Sequence, residues 1–248
     1  MKVLLLDLET SPSAAYVWSL FKTTIPITSI IESSEVLCWS AKWYGSDEVL
    51  FDSIHKSSRK RMLRRIHKLL SDADAVVHYN GNRFDIPTLN KEFLIHGFTP
   101  PAPAKQIDLY RTVKTKFRFV SNKLDYVSKM LGLGEKTKTD FTLWVQCMNK
   151  NSEAWSKMEE YNKQDVLLLE KLYDRLRGWI RSCANWGLYL EPMGQIACPN
   201  CGSLDHQRRG FSYTGAYKYQ RHRCKGCGNW FRSGKNLGPK PGEKAINV

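Results

Sequence analysis

The 248-residue chain carries 38 lysines and arginines against 24 aspartates and glutamates, and its formal charge of +14 points toward a polyanionic partner. A composition of 42% apolar, 12% aromatic and 25% charged residues excludes disorder as the main state, and the length suits one large domain with a small appendage. No run reaches the roughly 18 apolar residues that a membrane span needs, so no membrane partner is expected. Residues 2–6 imitate the opening of an export signal, but Asp7 and Glu9 interrupt it too early. The expected compartment is therefore a reducing cytoplasm, that of a host cell if a mobile element encodes the chain.

In chain order, VLLLDLE is apolar on both alternating faces, as expected of a strand in the middle of a sheet. Residues 35–44 and 48–52 read as two further strands joined across Tyr44-Gly45-Ser46-Asp47. A basic helix over residues 57–70 carries Lys56, Arg59, Lys60, Arg61, Arg64, Arg65 and Lys68, a run that is usually a solvated face. A short strand at 75–79, a loop through Asn80-Gly81-Asn82 and a helix over 86–97 follow, ended by Pro100, Pro101 and Pro103. A strand near Ile107 precedes helical segments at 122–131 and 141–148. A long helix is expected from Ser152 to about Cys183, with Leu168, Leu172, Leu176 and Trp179 on its buried face. Strands first and then strands alternating with helices indicate an α/β layer with a mixed sheet.

Three groups of carboxylates stand out. Asp7 and Glu9 are two apart on a strand and share a face, and two buried like charges call for a divalent cation. If the strand ended at Leu6, both would simply be solvated. Asp85, in HYNGNRFDIP, sits where a loop enters a helix, a place that suits a helix cap and also an α/β active site. Tyr161 and Asp165, in YNKQD, lie four apart on one face of the long helix, and Asp165 heads the apolar stripe rather than the wet side occupied by Glu159 and Glu160.

DLET, NGNRFD and YNKQD, in this order and at these intervals, resemble the three motifs of the DEDD superfamily of 3′→5′ exonucleases, over roughly residues 1–183. Tyr161, four before Asp165, points to the tyrosine branch, which is similar to the proofreading domains of DNA polymerases. The resemblance implies a ribonuclease H-like fold with a mixed five-stranded sheet and two Mg²⁺ or Mn²⁺ ions astride the scissile phosphate. It implies that Asp7 bridges both ions, that Glu9 and Asp165 complete the first site, that Asp85 holds the second through its water shell, and that Tyr161 orients the attacking water. A tyrosine of pKa about 10 is a poor bulk base, which fits positioning. By the same resemblance Leu8 and Thr10 touch the terminal base and 3′ end, with Asn80 and Phe84 as further contacts; core packing competes for Leu8 and Phe84.

Beyond residue 184 the composition turns to Gly, Pro and Asn. Cys198, Cys201, Cys224 and Cys227 form two C-x2-C pairs separated by 22 residues, a zinc spacing rather than a disulfide framework. Gly202 and Gly228 follow the second cysteine of each pair, where a knuckle turn requires a residue without a side chain. The segment resembles a zinc ribbon holding one structural Zn²⁺, and it is small enough to need metal for stability. His206 and His222 could also serve as ligands, but four thiolates complete the set. Arg208 and Arg209 precede Tyr217, Tyr219, Arg221 and Arg223, which alternate onto one strand face. Aromatics among arginines suit single-stranded nucleic acid, while packing of the ribbon is the rival account of the tyrosines. Cys38, Cys147 and Cys183 read as buried thiols.

The expected organisation is an exonuclease domain at 1–184, a linker at 185–197, a zinc ribbon at 198–232 and a basic, loose tail at 233–248. The function implied is a metal-dependent 3′→5′ exonuclease acting on single-stranded DNA or unpaired 3′ ends, with the ribbon gripping the strand. An RNA 3′ exonuclease is the near alternative, because no motif reports contacts to the 2′-OH. An inactive nucleic-acid-binding adaptor and a structure-selective endonuclease stand further off, since all four acids and the tyrosine are present. Protein partners are not indicated.

Overall fold

The computed structural model describes residues 1–21, 23–134, 139–181, 183, 185–189 and 195–239. It divides into two compact units, Lys2–Tyr173 and the chain from Asp174 on together with Met1. Among the described residues no helix is long and apolar enough to cross a membrane.

The first unit is built on β1 (Val3–Thr10). A small hairpin, β2 (Ala14–Ala15) and β3 (Ile30–Glu32), separates it from β4 (Val36–Trp43) and β5 (Val49–Ser53). Helix α1 (Arg59–Asp72), β6 (Ala75–His78), α2 (Asp85–Ile95), β7 (Lys105–Asp108) and α3 (Leu109–Lys116) follow. Then come α4 (Leu124–Met130), α5 (Phe141–Met148) and α6 (Ser152–Leu176). The sheet order is β5-β4-β1-β6-β7, with β1 antiparallel to β4 and parallel to β6. This is the mixed five-stranded sheet expected, with VLLLDLE at its centre. Helix α3 has no counterpart in the sequence reading, because only Leu109 and Val113 of its eight residues are buried.

Both faces of β1 are covered, and the alternation of its side chains sorts them. Leu4, Leu6 and Leu8 enter one apolar cluster with Met62, Leu63, Ile66 and Leu70 of α1 and Leu89 and Phe93 of α2. On the opposite face, Leu37, Cys38 and Phe51 pack against Leu143 and Cys147 of α5 and Trp155, Met158 and Tyr161 of α6. Lys42 of β4, almost fully buried, pairs with Glu170 of α6, and Gly45 N–H donates to the same carboxylate at 3.2 Å. The odd-numbered residues of β1, Asp7 and Glu9 among them, therefore face α6, while α1 with its basic run lies across the sheet.

Helix α6 stops at Leu176, short of Cys183, because Arg177–Trp179 tighten into a 3₁₀ turn. Leu168, Leu172 and Leu176 are buried as expected, but Trp179 falls past the helix and is 56% exposed. Gly178 lies so close to the Cys227 carbonyl that a Cβ there would overlap it. Asn200 donates to the Arg177 and Ile180 carbonyls at 2.9 and 2.8 Å, and Arg177 Nε donates to the Asn200 carbonyl at 3.0 Å. These contacts tie residues 177–180 to the cysteine knuckles, which is why the second unit begins before the composition change at 184. Cys38 and Cys147 are buried, whereas Cys183 is half-buried.

The second unit holds β8 (His206–Tyr213), β9 (Lys218–Cys224) and β10 (Trp230–Asn236) in an antiparallel sheet of order β10-β9-β8. Strand β10 continues to Asn236, so residues 233–236, read from sequence as the start of a loose tail, are part of the sheet. Of the 185–197 linker, Trp186–Tyr189 form a 3₁₀ turn and 190–194 lie outside the described residues, as do 240–248 of the tail.

Candidate active site

Asp7, Glu9 and Asp165 converge: each offers a carboxylate oxygen, and the three lie within 4.8 Å of one another. The strand period aims Asp7 and Glu9 at α6, and the helix places Asp165 on its buried side, 2% exposed. A register shift between Glu9 and Thr10 marks a bulge where β1 leaves its pairing with β4, a common device beside active sites. Asn162, fully buried one turn before Asp165, donates from Nδ2 to Asp7 Oδ2 at 2.6 Å. Its Oδ1 is buried with no hydrogen-bond partner among the described residues. Tyr161 is buried with its ring edge-on to Trp144, centroids 5.9 Å apart.

Asp85 opens α2 and is 4% exposed, and it stands outside the converging trio. Burial pushes its carboxyl up to about 7, with the Asp108 charge adding to the rise, while backbone hydrogen bonds at Asp85 itself and from Leu8 pull the other way. The bond from Leu8 ties Asp85 to β1.

The loop that delivers Asp85 is held by residues the sequence reading did not single out. Asp108 caps α3 through Arg111 N–H at 3.3 Å and accepts from Asn80 N–H at 2.9 Å. Asn80 has a φ of 66°, the left-handed region that asparagine tolerates better than most side chains. Gly81 N–H donates to His78 Nδ1 at 3.1 Å, which leaves the ring proton on Nε2, 3.1 Å from Gln106 Oε1. Burial lowers the His78 pKa, against Asp108 and Gln106, consistent with this neutral ring. A Cβ on Gly81 would collide with His78 and Asp85, so the turn admits only glycine.

Leu8 is buried in the α1–α2 core. Thr10 is half-buried and lines a cavity of about 370 Å³ with Phe141 and Trp144. Asn80 is half-buried, and Phe84, just before α2, is 44% exposed. Of the basic run, Lys56 pairs with Glu159, Arg59 with Glu35, Arg65 with Asp52 and Lys68 with Asp72, at 2.6 to 2.8 Å. Much of it is thus structural.

In the second unit the Sγ atoms of Cys198, Cys201, Cys224 and Cys227 all lie within 4.8 Å. Gly202 and Gly228 have φ of 74° and 75°, and their N–H groups donate to the Cys198 and Cys224 carbonyls, as knuckle turns require. Burial raises the thiol pKa of Cys201 to about 11 and raises that of Cys227 further. Tyr217 lies in the turn before β9 rather than on the strand, and is exposed; on β9 itself Arg221 and Arg223 are exposed and Tyr219 is half-buried, while His222 and Cys224 face inward. Strand β10 adds two residues missed from sequence: exposed Trp230 beneath Arg221 at 5.0 Å, and Arg232 over Tyr219 at 3.8 Å. Arg208 and Arg209 are exposed on β8. His222 stacks on Phe231 at 5.2 Å, so it packs the inner face and leaves the thiols as the metal-competent set.

Both donor sets fit metals. Three converging carboxylates are hard oxygen donors suited to Mg²⁺ or Mn²⁺. Four thiols at one point match a structural Zn²⁺ site.

Comparison with known proteins agrees with this architecture. No curated protein matches the chain. Solved structures that match include the family B DNA polymerase from the hyperthermophilic archaeon Pyrobaculum calidifontis, with a TM-score of 0.53 and 18% identity over 71% of this chain. The match spans 24% of that polymerase, so the likeness is one of fold to a part of it. A family model of the RNase H superfamily, RNase_H_2, matches residues 37–177, more than half of the chain, and the chain belongs to that superfamily.

Proposed function

We propose that this protein is a two-metal-ion 3′→5′ exonuclease of the DEDD type, acting on single-stranded DNA or unpaired 3′ ends. The observation that carries the reading is the convergence of Asp7, Glu9 and Asp165, beside a buried Asp85 that is hydrogen-bonded to Leu8 of the same strand as Asp7 and Glu9. In the proposed site Asp7, Glu9 and Asp165 hold the first Mg²⁺ or Mn²⁺, and Asp7 and Asp85 serve the second. When bound, such ions supply an activated water and neutralise the charge that develops on the leaving 3′ oxygen. Asn162 keeps the Asp7 carboxylate in one rotamer. Tyr161 orients the attacking water, its ring fixed by Trp144. Thr10 and Trp144 border the cavity that receives the terminal nucleotide. The cysteine ribbon binds one Zn²⁺ and grips the strand on its tyrosine and arginine face. RNase H superfamily membership and the likeness to part of a DNA polymerase support a nuclease acting on a nucleic acid.

The test is a time course on matched 5′-labelled single-stranded DNA and RNA with Mg²⁺ or Mn²⁺, run beside Asp165→Asn. Progressive shortening of the DNA, absent in the variant, is expected. Preferential shortening of RNA would move the substrate to RNA, a ladder of internal cuts would make the enzyme an endonuclease, and tight binding without cleavage would make it an adaptor.

A further inference from the structure

The +14 charge needs an address, and the run on α1 is a poor one. Of the six cations that lie on the helix, Arg59, Arg65 and Lys68 are in ion pairs, and the helix lies across the sheet from Asp7 and Glu9; Lys56, just before it, is paired with Glu159. A different group of cations surrounds the loop that delivers Asp85. A cavity of about 310 Å³ is lined by Asn80, Asn82, Arg83, Tyr110, Arg111 and Lys114, with Asp108 at its base. Arg83, Arg111 and Lys114 are exposed, and none is in an ion pair among the described residues. The Asp108 carboxylate is only 8% exposed and spends one oxygen on the Asn80 and Arg111 amides, so the rim rather than the base sets the sign of the charge.

A second cavity, of about 700 Å³, shares Asn80 and Tyr110 with the first and continues past Tyr79, Val120 and Lys123. Tyr79 stands edge-on to Tyr110 at 5.7 Å and is held by a 2.6 Å bond from its hydroxyl to the Asn122 carbonyl. Val120 is 93% exposed. One side of this concave surface thus offers three exposed cations, and the other offers Tyr79, Tyr110, Val120 and Leu124, with Lys123 and Asp125 at its edge. That combination fits a single strand, whose phosphates and bases point to opposite sides.

The geometry points to the Arg83–Arg111–Lys114 groove as the binding site for the phosphodiester backbone of the strand flanking the scissile nucleotide. This rests on the nuclease reading for the identity of the strand, but binding can be measured without cleavage. Arg111 and Lys114 lie three apart on α3 and so share one face of the helix, while Arg83 stands two residues before Asp85 and links the groove to the loop that delivers it.

The experiment is fluorescence anisotropy of the full chain with a 5′-labelled 20-mer of single-stranded DNA in EDTA, across a salt series. Arg111→Gln/Lys114→Gln is compared with Lys60→Gln/Arg64→Gln, which removes the same charge from α1. Each lost phosphate contact lowers the slope of log K against log salt by about 0.7, so the groove variant should lose about 1.4 and the α1 control almost nothing. Melting temperatures near wild type would show that the exposed substitutions leave the fold intact. Equal losses in both variants, an unchanged slope in the groove variant, or no strand binding by the wild type would overturn the proposal. So would a loss confined to affinity for a nucleoside monophosphate, which would make the groove a product site. A groove-dependent slope in a protein that cuts neither DNA nor RNA would uphold the groove while refuting the nuclease reading.

Discussion

Asp85 shows at the scale of one residue how burial and function are linked. The folded, metal-free protein retains the Asp85 proton up to about pH 7, whereas an unfolded chain releases it near the ordinary carboxylate value of about 4. Between those values the native state binds a proton that the unfolded state has lost, so the native state loses stability as pH rises through this window and levels off above it. Asp85→Asn should flatten that decline, and at pH 8 in EDTA the variant should exceed wild type by on the order of a few kcal/mol. Denaturant titrations at pH 5 and 8 measure it, and an equal decline in wild type and variant would show that the buried carboxyl is not its source. A divalent ion competes with the same proton, so occupancy of the site should improve with pH through neutrality. The three converging acids were legible in the sequence because each is an anomaly in a local pattern, two in an apolar strand and one heading an apolar helical stripe, whereas Asp85 by itself reads as an ordinary helix cap. Asn162 was not, since an asparagine inside a helix signals nothing until Asp7, 155 residues away, is set opposite it.

At the scale of elements, α6 carries Tyr161, Asn162 and Asp165, so whatever docks it against the sheet also aligns the site. Part of that docking is the ion pair between Lys42 and Glu170. Removing one partner from such a pair leaves a buried charge uncompensated, whereas replacing both with apolar groups is often neutral or better. Glu170→Ala should therefore destabilise the first unit by about 3–5 kcal/mol, and Lys42→Met/Glu170→Leu should recover most of that loss. Urea titrations of the two variants give the comparison, and a double variant as unstable as the single one would mean that α6 needs the charges themselves. The central strand and α1, α2 and α6 were readable from periodicity. Helix α3 was not: an eight-residue element with two buried side chains shows no period, and its basic residues look like any polar loop. The end of α6 was misplaced for a related reason. Trp179 continues the apolar spacing, but Gly178 meets the Cys227 backbone, a tertiary contact that no local pattern reports.

At the scale of the whole molecule, the two units obtain stability from different sources. Lys2–Tyr173 has apolar clusters on both faces of a five-stranded sheet, while the ribbon buries few large side chains and gathers four thiols at one point. A small unit of this kind depends on metal for much of its folding free energy. Zinc must displace the thiol protons; burial holds those of Cys201 and Cys227 more tightly than usual, whereas hydrogen bonds outweigh burial and lower the Cys224 thiol, so apparent zinc affinity should fall as pH drops, with Cys201 and Cys227 dominating the proton competition. Chelation at pH 6 should consequently unfold the ribbon while the first unit persists. Heating would then show one transition lost and the other nearly unmoved. If the groove on the first unit and the tyrosine–arginine face of the ribbon both hold the strand, the chelated protein should bind single-stranded DNA more weakly, with a shallower salt dependence, yet retain most of its turnover at saturating substrate. Anisotropy and initial rates measured before and after chelation and zinc restoration separate the two contributions. A turnover that collapses with the ribbon and returns with zinc would mean that the second unit completes the active site rather than holding the strand.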